Sequence, residues 1–226
     1  KKQLAKLLTS SIKKRIPHKK VGLLFSGGLD STILAHLLKK ENVNFIAYIT
    51  SVNNKNVEQA KSIAKQLKFK LKVINITKED LKKELLTVSN LIESINPVKV
   101  EVGLTMHFAL KQAKQDNIKV IFSGVGADDV FGGYKRMQAT TNINEDSLSG
   151  LRRIYERDTY RDDVLSMYSN IEIRLPFLDK KLVQNTLLIP SKYKIGETTK
   201  QFLRDIAIQL ELPKDLSELK RSAAQY

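Results

Sequence analysis

The sequence contains no cysteine. That excludes disulfides, thiolate zinc sites and a cysteine nucleophile anywhere in its 226 residues, and it fits a cytoplasmic chain. Long apolar runs are also missing. None approaches the ~18 residues that span a bilayer. The basic opening residues are followed by no uninterrupted apolar segment of the kind a secretory signal needs. No membrane partner is expected. Histidine is scarce, and His18, His36 and His107 have no ligand spacing, so a transition-metal site is not expected. Acidic residues are outnumbered, 24 against 39 Lys and Arg, which leaves a net charge of +15. Such a surplus raises a nucleic-acid partner. The lysines, however, are scattered over most predicted helices with no aromatic-interleaved basic patch, and a solvated lysine-rich surface is the commoner reading. No internal repeat is visible. The chain begins at Lys1 rather than Met, so upstream sequence is expected.

What is present suffices for a large core: 42% of residues are hydrophobic. Leu4, Leu7, Leu8, Ser11, Ile12 and Ile16 recur at helical spacing, with Pro17 as the stop. Val21–Phe25, Asn44–Thr50, Lys70–Asn75 and Val120–Ser123 read as strands. Helical spacing marks Val57–Leu67, the segment from Leu81 through Ile92 to Ile95, and roughly Glu101–Gln115. Thr77 with Asp80 resembles a capping box at a helix start. Strands alternating with helices predict parallel strands joined by right-handed crossovers. Ligands in such sheets collect at the carboxyl ends of the strands. After about Gly133 the chain reads as helices and loops, and polar Thr141–Ser149 reads as an exposed loop or lid.

The most informative segment is Phe25-Ser26-Gly27-Gly28-Leu29-Asp30-Ser31, between the first strand and a helix beginning near Thr32. Adjacent glycines let backbone N–H groups approach an anion, and the helix start adds positive partial charge. A carboxylate at Asp30 is out of place beside a bare phosphate, so it implies a bridging Mg²⁺. This is no Walker loop, because the glycines are adjacent and no lysine falls in the turn. The competing reading is a tight turn capped by Ser and Asp. A second glycine-rich strand exit, Ser123 to Tyr134 (SGVGADDVFGGY), carries paired carboxylates that could hold the other side of a Mg²⁺–pyrophosphate unit.

SGGLDS resembles the pyrophosphate loop of the ATP pyrophosphatase group. With SGVGADDVFGGY, then Ile171–Asp179 (IEIRLPFLD), then Lys200-Gln201-Phe202-Leu203-Arg204 in order, the chain is similar to the synthetase domain of the asparagine synthetase family along nearly its whole length. The resemblance implies an α/β fold, a parallel sheet flanked by helices of the adenine nucleotide alpha hydrolase-like (HUP) type with a helical C-terminal part. Residues 1–226 would form a single domain, with 1–134 the nucleotide-binding core and 135–226 mainly helical. It implies ATP and Mg²⁺ as cofactors. Ser26, Gly27, Gly28, Asp30 and Ser31 would hold the pyrophosphate, and Asp30 and Asp128 the metal. Phe25, Tyr48, Ser123 and Gly124 would contact the AMP portion. Arg174, Pro176, Phe177 and Asp179 would form a structural corner. Lys200 and Arg204, one helical turn apart, would reach phosphate or lie on a solvated face. The implied activity adenylates an aspartate-like carboxylate and passes it to ammonia or an amine.

Two positions depart from the family pattern. A Glu slot in the second loop holds Val125, which accepts no proton. A lysine slot after the last helix falls at Ser222 or Ala223, leaving Arg221 or Lys220 as the substitute cation, and Arg221 as the catalytic candidate beside Asp30 and Asp128. An arginine cannot shuttle a proton at neutral pH. The family's glutaminase half, with its N-terminal cysteine, is not in this sequence, so ammonia would come free, from a separate glutaminase, or through upstream sequence. Two other readings stay open: a PP-loop enzyme that modifies tRNA, and a non-catalytic ATP-binding relative.

Overall fold

The computed structural model describes residues 1–52, 56–140, 142–194, 196 and 198–219. Helix α1 (Lys2–Lys13) turns Leu4, Leu8, Ser11 and Ile12 inward, the face its leucine spacing predicts. Then follow β1 (Val21–Leu24), α2 (Leu29–Lys40), β2 (Phe45–Ser51), α3 (Val57–Gln66) and β3 (Lys70–Asn75). Helix α4 (Lys78–Leu91) starts on the predicted capping box. Thr77 Oγ1 accepts from the Asp80 N–H at 3.1 Å, and the Asp80 carboxylate accepts from the Thr77 N–H at 3.0 Å. The helix stops short of Ile95, which the spacing had placed on its apolar face. Glu93, at φ 49°, has already turned the chain, and Ile95 is 93% exposed. Helix α5 (Pro97–Gln115) begins earlier than the expected start near Glu101. The Asn96 side chain accepts from two first-turn N–H groups, and Pro97 has none to lose.

Beyond β4 (Val120–Phe122) come the short α6 (Ala127–Phe131) and α7 (Ile143–Ile154). A single π turn, Tyr155–Thr159, joins α7 to α8 (Tyr160–Tyr168). The chain continues through β5 (Glu172–Arg174), α9 (Lys180–Leu187), α10 (Gln201–Gln209) and α11 (Lys214–Ser217). Two expectations fail here. The polar stretch predicted as a loop or lid is mostly helix α7; Thr141 itself lies outside the described residues. Asn142 caps it, and Ile143, Ser147 and Gly150 are buried at helical spacing beneath a polar outer face. The region read as helices and loops also supplies a strand, β5.

Among the described residues the sheet has five strands in the order β3-β2-β1-β4-β5, every pair parallel. Leu4, Leu8, Ile33, Leu34, Phe131, Phe177 and Leu203 belong to one large apolar cluster. Ile46, Val88, Leu104, Leu110, Leu165 and Ile171 belong to a second, fed by α4, α5 and α8. From β1 the chain winds outward through β2 to β3, then crosses back to β4 and β5. The winding therefore reverses between β1 and β4, and such a switch point opens a crevice at the strand ends. Both glycine-rich loops leave the sheet at this crevice.

Candidate active site

The loop after β1 is held open by its own hydroxyls. The Ser31 hydroxyl donates to the Gly28 carbonyl at 3.1 Å and lies 3.2 Å from the Ser26 hydroxyl. The Ser26 hydroxyl accepts from the Gly28 N–H at 3.3 Å. Gly27 sits at φ 74°, where a side chain would be strained, and Gln59 fixes its carbonyl from α3 at 2.9 Å. The extended Gly28 precedes the first turn of α2, so backbone N–H groups point out of the helix end beside Ser26 and Ser31.

The loop after β4 turns at Gly126, φ 91°, and delivers Asp128 and Asp129 on α6. A methyl group on Gly126 would fall 2.3 Å from Leu178 of the PFLD corner. Leu178 of that corner thus packs directly against the turn of the second loop. Pro176 and Phe177 are buried there. The Pro176 carbonyl accepts from the Ser11 hydroxyl of α1 at 2.6 Å. Asp179 caps α9 and receives Arg15 at 3.1 Å, and these contacts hold its carboxyl below the usual range despite partial burial.

Asp30 and Asp128 converge on one cation. The ammonium of Lys200 pairs with Asp30 and, at 2.8 Å, with Asp128. Lys200 is buried and holds a left-handed backbone conformation, φ 59°, at the start of α10. Burial disfavours its charge, but the two carboxylates outweigh burial and hold its pKa above the ordinary value. The solvated face considered for Lys200 and Arg204 is thus excluded. Arg204 is buried as well, and its guanidinium goes to the carbonyls of Thr199 (3.1 Å) and Ser217 (2.8 Å) rather than toward the loops. Gly133 makes room for the cluster: a methyl group there would lie 1.8 Å from Asp128 Oδ1 and 2.4 Å from Lys200 Cε.

A cleft of about 400 Å³ opens over these groups. Phe25, Ser26, Asp30, Ser31, Tyr48, Ser123, Gly124 and Asp128 all line it, while Gly27 and Gly28 belong to the loop beside it. The Tyr48 hydroxyl is spent elsewhere, donating to Asp116 at 2.7 Å, so Tyr48 offers the cleft no free phenol. Val125, in the slot that the family pattern gives to an acid, lines the cleft with an apolar side chain. Arg221, Lys220, Ser222 and Ala223 lie outside the described residues.

Sequence reasoning missed a further charged part of the cleft lining. Asp158, Arg161 and Asp162 line the cleft from the π turn and α8. Arg157 of the π turn donates to buried Asp129 at 2.7 Å. Burial pushes the Asp129 carboxyl up, and it pushes that of Asp162 up to about 6 although Arg161 pairs with it at 2.7 Å. The signal was present as the charge-dense run Glu156-Arg157-Asp158-Thr159-Tyr160-Arg161-Asp162-Asp163, which carries no motif of its own.

The two aspartates fit Mg²⁺ in one respect: both reach a single small cation. Among the described residues no group of three or more His, Cys, Asp or Glu converges, so most of such an ion's oxygen ligands would come from phosphate and water.

A family model for asparagine synthase matches residues 3–152 and 136–226. A protein of Methanocaldococcus jannaschii named putative asparagine synthetase (glutamine-hydrolyzing) 1 is 30% identical over 218 residues, which is 93% of this chain and 40% of that protein. Asparagine synthetase B (glutamine-hydrolyzing) of Escherichia coli is 25% identical over 230 residues, 91% of this chain and 41% of its own. The chain therefore spans about 40% of the length of these relatives. Among solved structures, NMN synthetase from Francisella tularensis aligns with 98% of this chain and 86% of its own at 17% identity and a TM-score of 0.40. Matched by the family model along nearly its whole length, the chain belongs to the asparagine synthase family.

Proposed function

We propose that this chain binds ATP in the switch-point cleft and activates a carboxylate by adenylation. A carboxylate oxygen attacks the α-phosphorus, the bond between α-phosphorus and the bridging oxygen breaks, and pyrophosphate leaves. Ammonia or an amine then attacks the acyl carbon; the bond to AMP breaks, a proton is lost and an amide forms. Aspartate is the reference acceptor, and an asparagine-type amide the reference product.

The loop Ser26–Ser31 would hold the pyrophosphate through backbone N–H groups and the two hydroxyls. Phe25, Ser123, Gly124 and the main chain of Tyr48 would border the nucleoside. Asp30 and Asp128 would hold Mg²⁺, which neutralises charge on the departing pyrophosphate when bound. Lys200, already between these carboxylates, supplies a further positive charge at the same end. The residues chiefly position the reactants and meet charge. Arg221 is retained as a candidate cation for the acceptor end, with ammonia arriving free or from a glutaminase.

The observation that carries this reading is the convergence of Asp30 and Asp128, from loops nearly a hundred residues apart in sequence, on one buried cation beside the cleft that both carboxylates line. ATP–pyrophosphate exchange across a panel of carboxylic acids tests it, because exchange reports adenylation without knowledge of the nucleophile. We expect Mg²⁺-dependent exchange with at least one acid. Asp30→Ala should lower it by about a hundredfold or more while the circular dichroism spectrum is kept. ATP binding without exchange for any acid would favour a non-catalytic relative. Unimpaired exchange in Asp30→Ala would remove the metal assignment.

A further inference from the structure

Beside the nucleotide cleft lies a second one of about 460 Å³. Tyr134 lines both. The ion pair between Asp129, which lines the first, and Arg157, which lines the second, forms a partition between them. The two clefts differ sharply in charge. Arg161 is the one cationic residue lining the first among the described residues, and it is already paired with Asp162. Asp30, Asp128, Asp129 and Asp158 line that cleft too. The second is lined by Lys99, Arg136, Arg153 and Arg157 against Asp146 and Glu156.

Two of these cations have no acidic partner among the described residues. Arg157 is spent on Asp129 and Asp158, and the Lys99 ammonium donates to the Glu156 carbonyl at 2.7 Å. Arg136 lies over the Tyr134 ring, 4.5 Å from its centre, and Arg153 stands in the last turn of α7. Neither forms an ion pair among the described residues, and both are exposed. A guanidinium offers a planar fork of donors that matches a carboxylate or phosphate two bonds at a time.

We propose that the second cleft binds the anionic end of the substrate whose reactive group enters the first. The substrate is then an acid or amine bearing a distal carboxylate or phosphate, passing from one cleft to the other beside Tyr134, which lines both. This rests on the adenylation reading and narrows its substrate class. The first cleft's one lining cation among the described residues, Arg161, is already paired with Asp162, whereas Arg136 and Arg153 stand without an acidic partner in the cleft that shares Tyr134 with it. The apolar Val125 fits the same picture, since substrate charge is met beyond the partition.

Inorganic phosphate is the probe, titrated calorimetrically into protein saturated with Mg²⁺ and a non-hydrolysable ATP analogue so that the first cleft is filled. We expect binding, weakened about tenfold in Arg136→Gln/Arg153→Gln, the loss of roughly one charge-assisted hydrogen bond. Affinity for the ATP analogue should change less than about twofold, which also certifies the fold. In exchange assays, acids with a distal anionic group should outperform matched acids without one, and the double variant should erase that preference through KM rather than kcat. Phosphate binding that is absent, or equal in the two proteins, overturns the proposal. So does loss of a tRNA but not of phosphate in the double variant, which would make this face a nucleic-acid contact. Absence of exchange with every acid would sink the adenylation reading alone, because the phosphate titration needs no turnover.

Discussion

At the scale of single residues, the site depends on clearances as much as on charges. Gly133 has no side chain because Asp128 and Lys200 already fill that space. Gly133→Ala should push Asp128 away from Lys200 and cut pyrophosphate exchange by about tenfold or more, with the melting temperature less affected than the rate. Asp162 makes a different forecast. Its carboxyl, lifted from 3.8 to about 6 mainly by burial, is raised relative to the unfolded chain. Below pH 4 both states carry the proton and burial costs nothing. Between pH 4 and 6 the unfolded chain releases the proton while the native one keeps it, so stability falls as pH rises. The full loss, on the order of 3 kcal/mol, is reached above pH 6. Urea titrations from pH 4 to 7 should show this slope in the parent and lose it in Asp162→Asn. Asp30 and Asp128 were legible from sequence because each stands in a contiguous glycine-rich motif. Lys200 was half-legible: its motif was seen, but its burial depends on Asp30, 170 residues away. Arg157 and Asp162 sit in a charge-dense run that reads equally well as solvent-facing.

Elements position these residues through a few tight contacts. The PFLD corner meets the second loop where Leu178 occupies the space a Gly126 side chain would need. Gly126→Ala should destabilise by about 1–3 kcal/mol, from the left-handed backbone strain plus the collision. Leu178→Ala removes the collision and leaves the strain. The double variant should therefore be less destabilised than the sum of the singles, by at least ~0.5 kcal/mol in a double-mutant cycle. Strict additivity would mean that the two do not touch in solution. The long elements were legible because apolar spacing repeats over several turns, as in α1, or because a capping box announces the start, as in α4. Strand β5 was not, because Glu172-Ile173-Arg174 is too short for any period to register and only its pairing with β4 makes it a strand. The first half of α7, within Thr141–Ser149, reads as a loop because its polar composition outweighs the sparse buried positions Ile143 and Ser147.

Across the whole molecule, the two ends of the chain are interlocked. The apolar face of α1 joins the cluster that holds Leu182 of α9 and Leu203 of α10, and β5 extends the sheet beyond β4. A fragment of residues 1–134 would expose that face of α1 and the edge of β4. It should unfold without a cooperative transition in urea, whereas residues 1–226 should show one. A cooperative fragment would make the nucleotide-binding core a separable unit. The π turn between α7 and α8 has a consequence in chain length. A π turn carries one residue more than the α-helix it interrupts. Excising a residue from 155–159 should convert the wide turn to plain α-helix and let α7 run into α8 with the phase of α8 kept, whereas excising one within α8 would rotate all that follows by about 100°. The wall of the cleft thus carries a one-residue surplus that the wide turn takes up: loss of one residue should be tolerated in 155–159, whereas the same loss inside α8 should carry Arg161 and Asp162 away from the cleft.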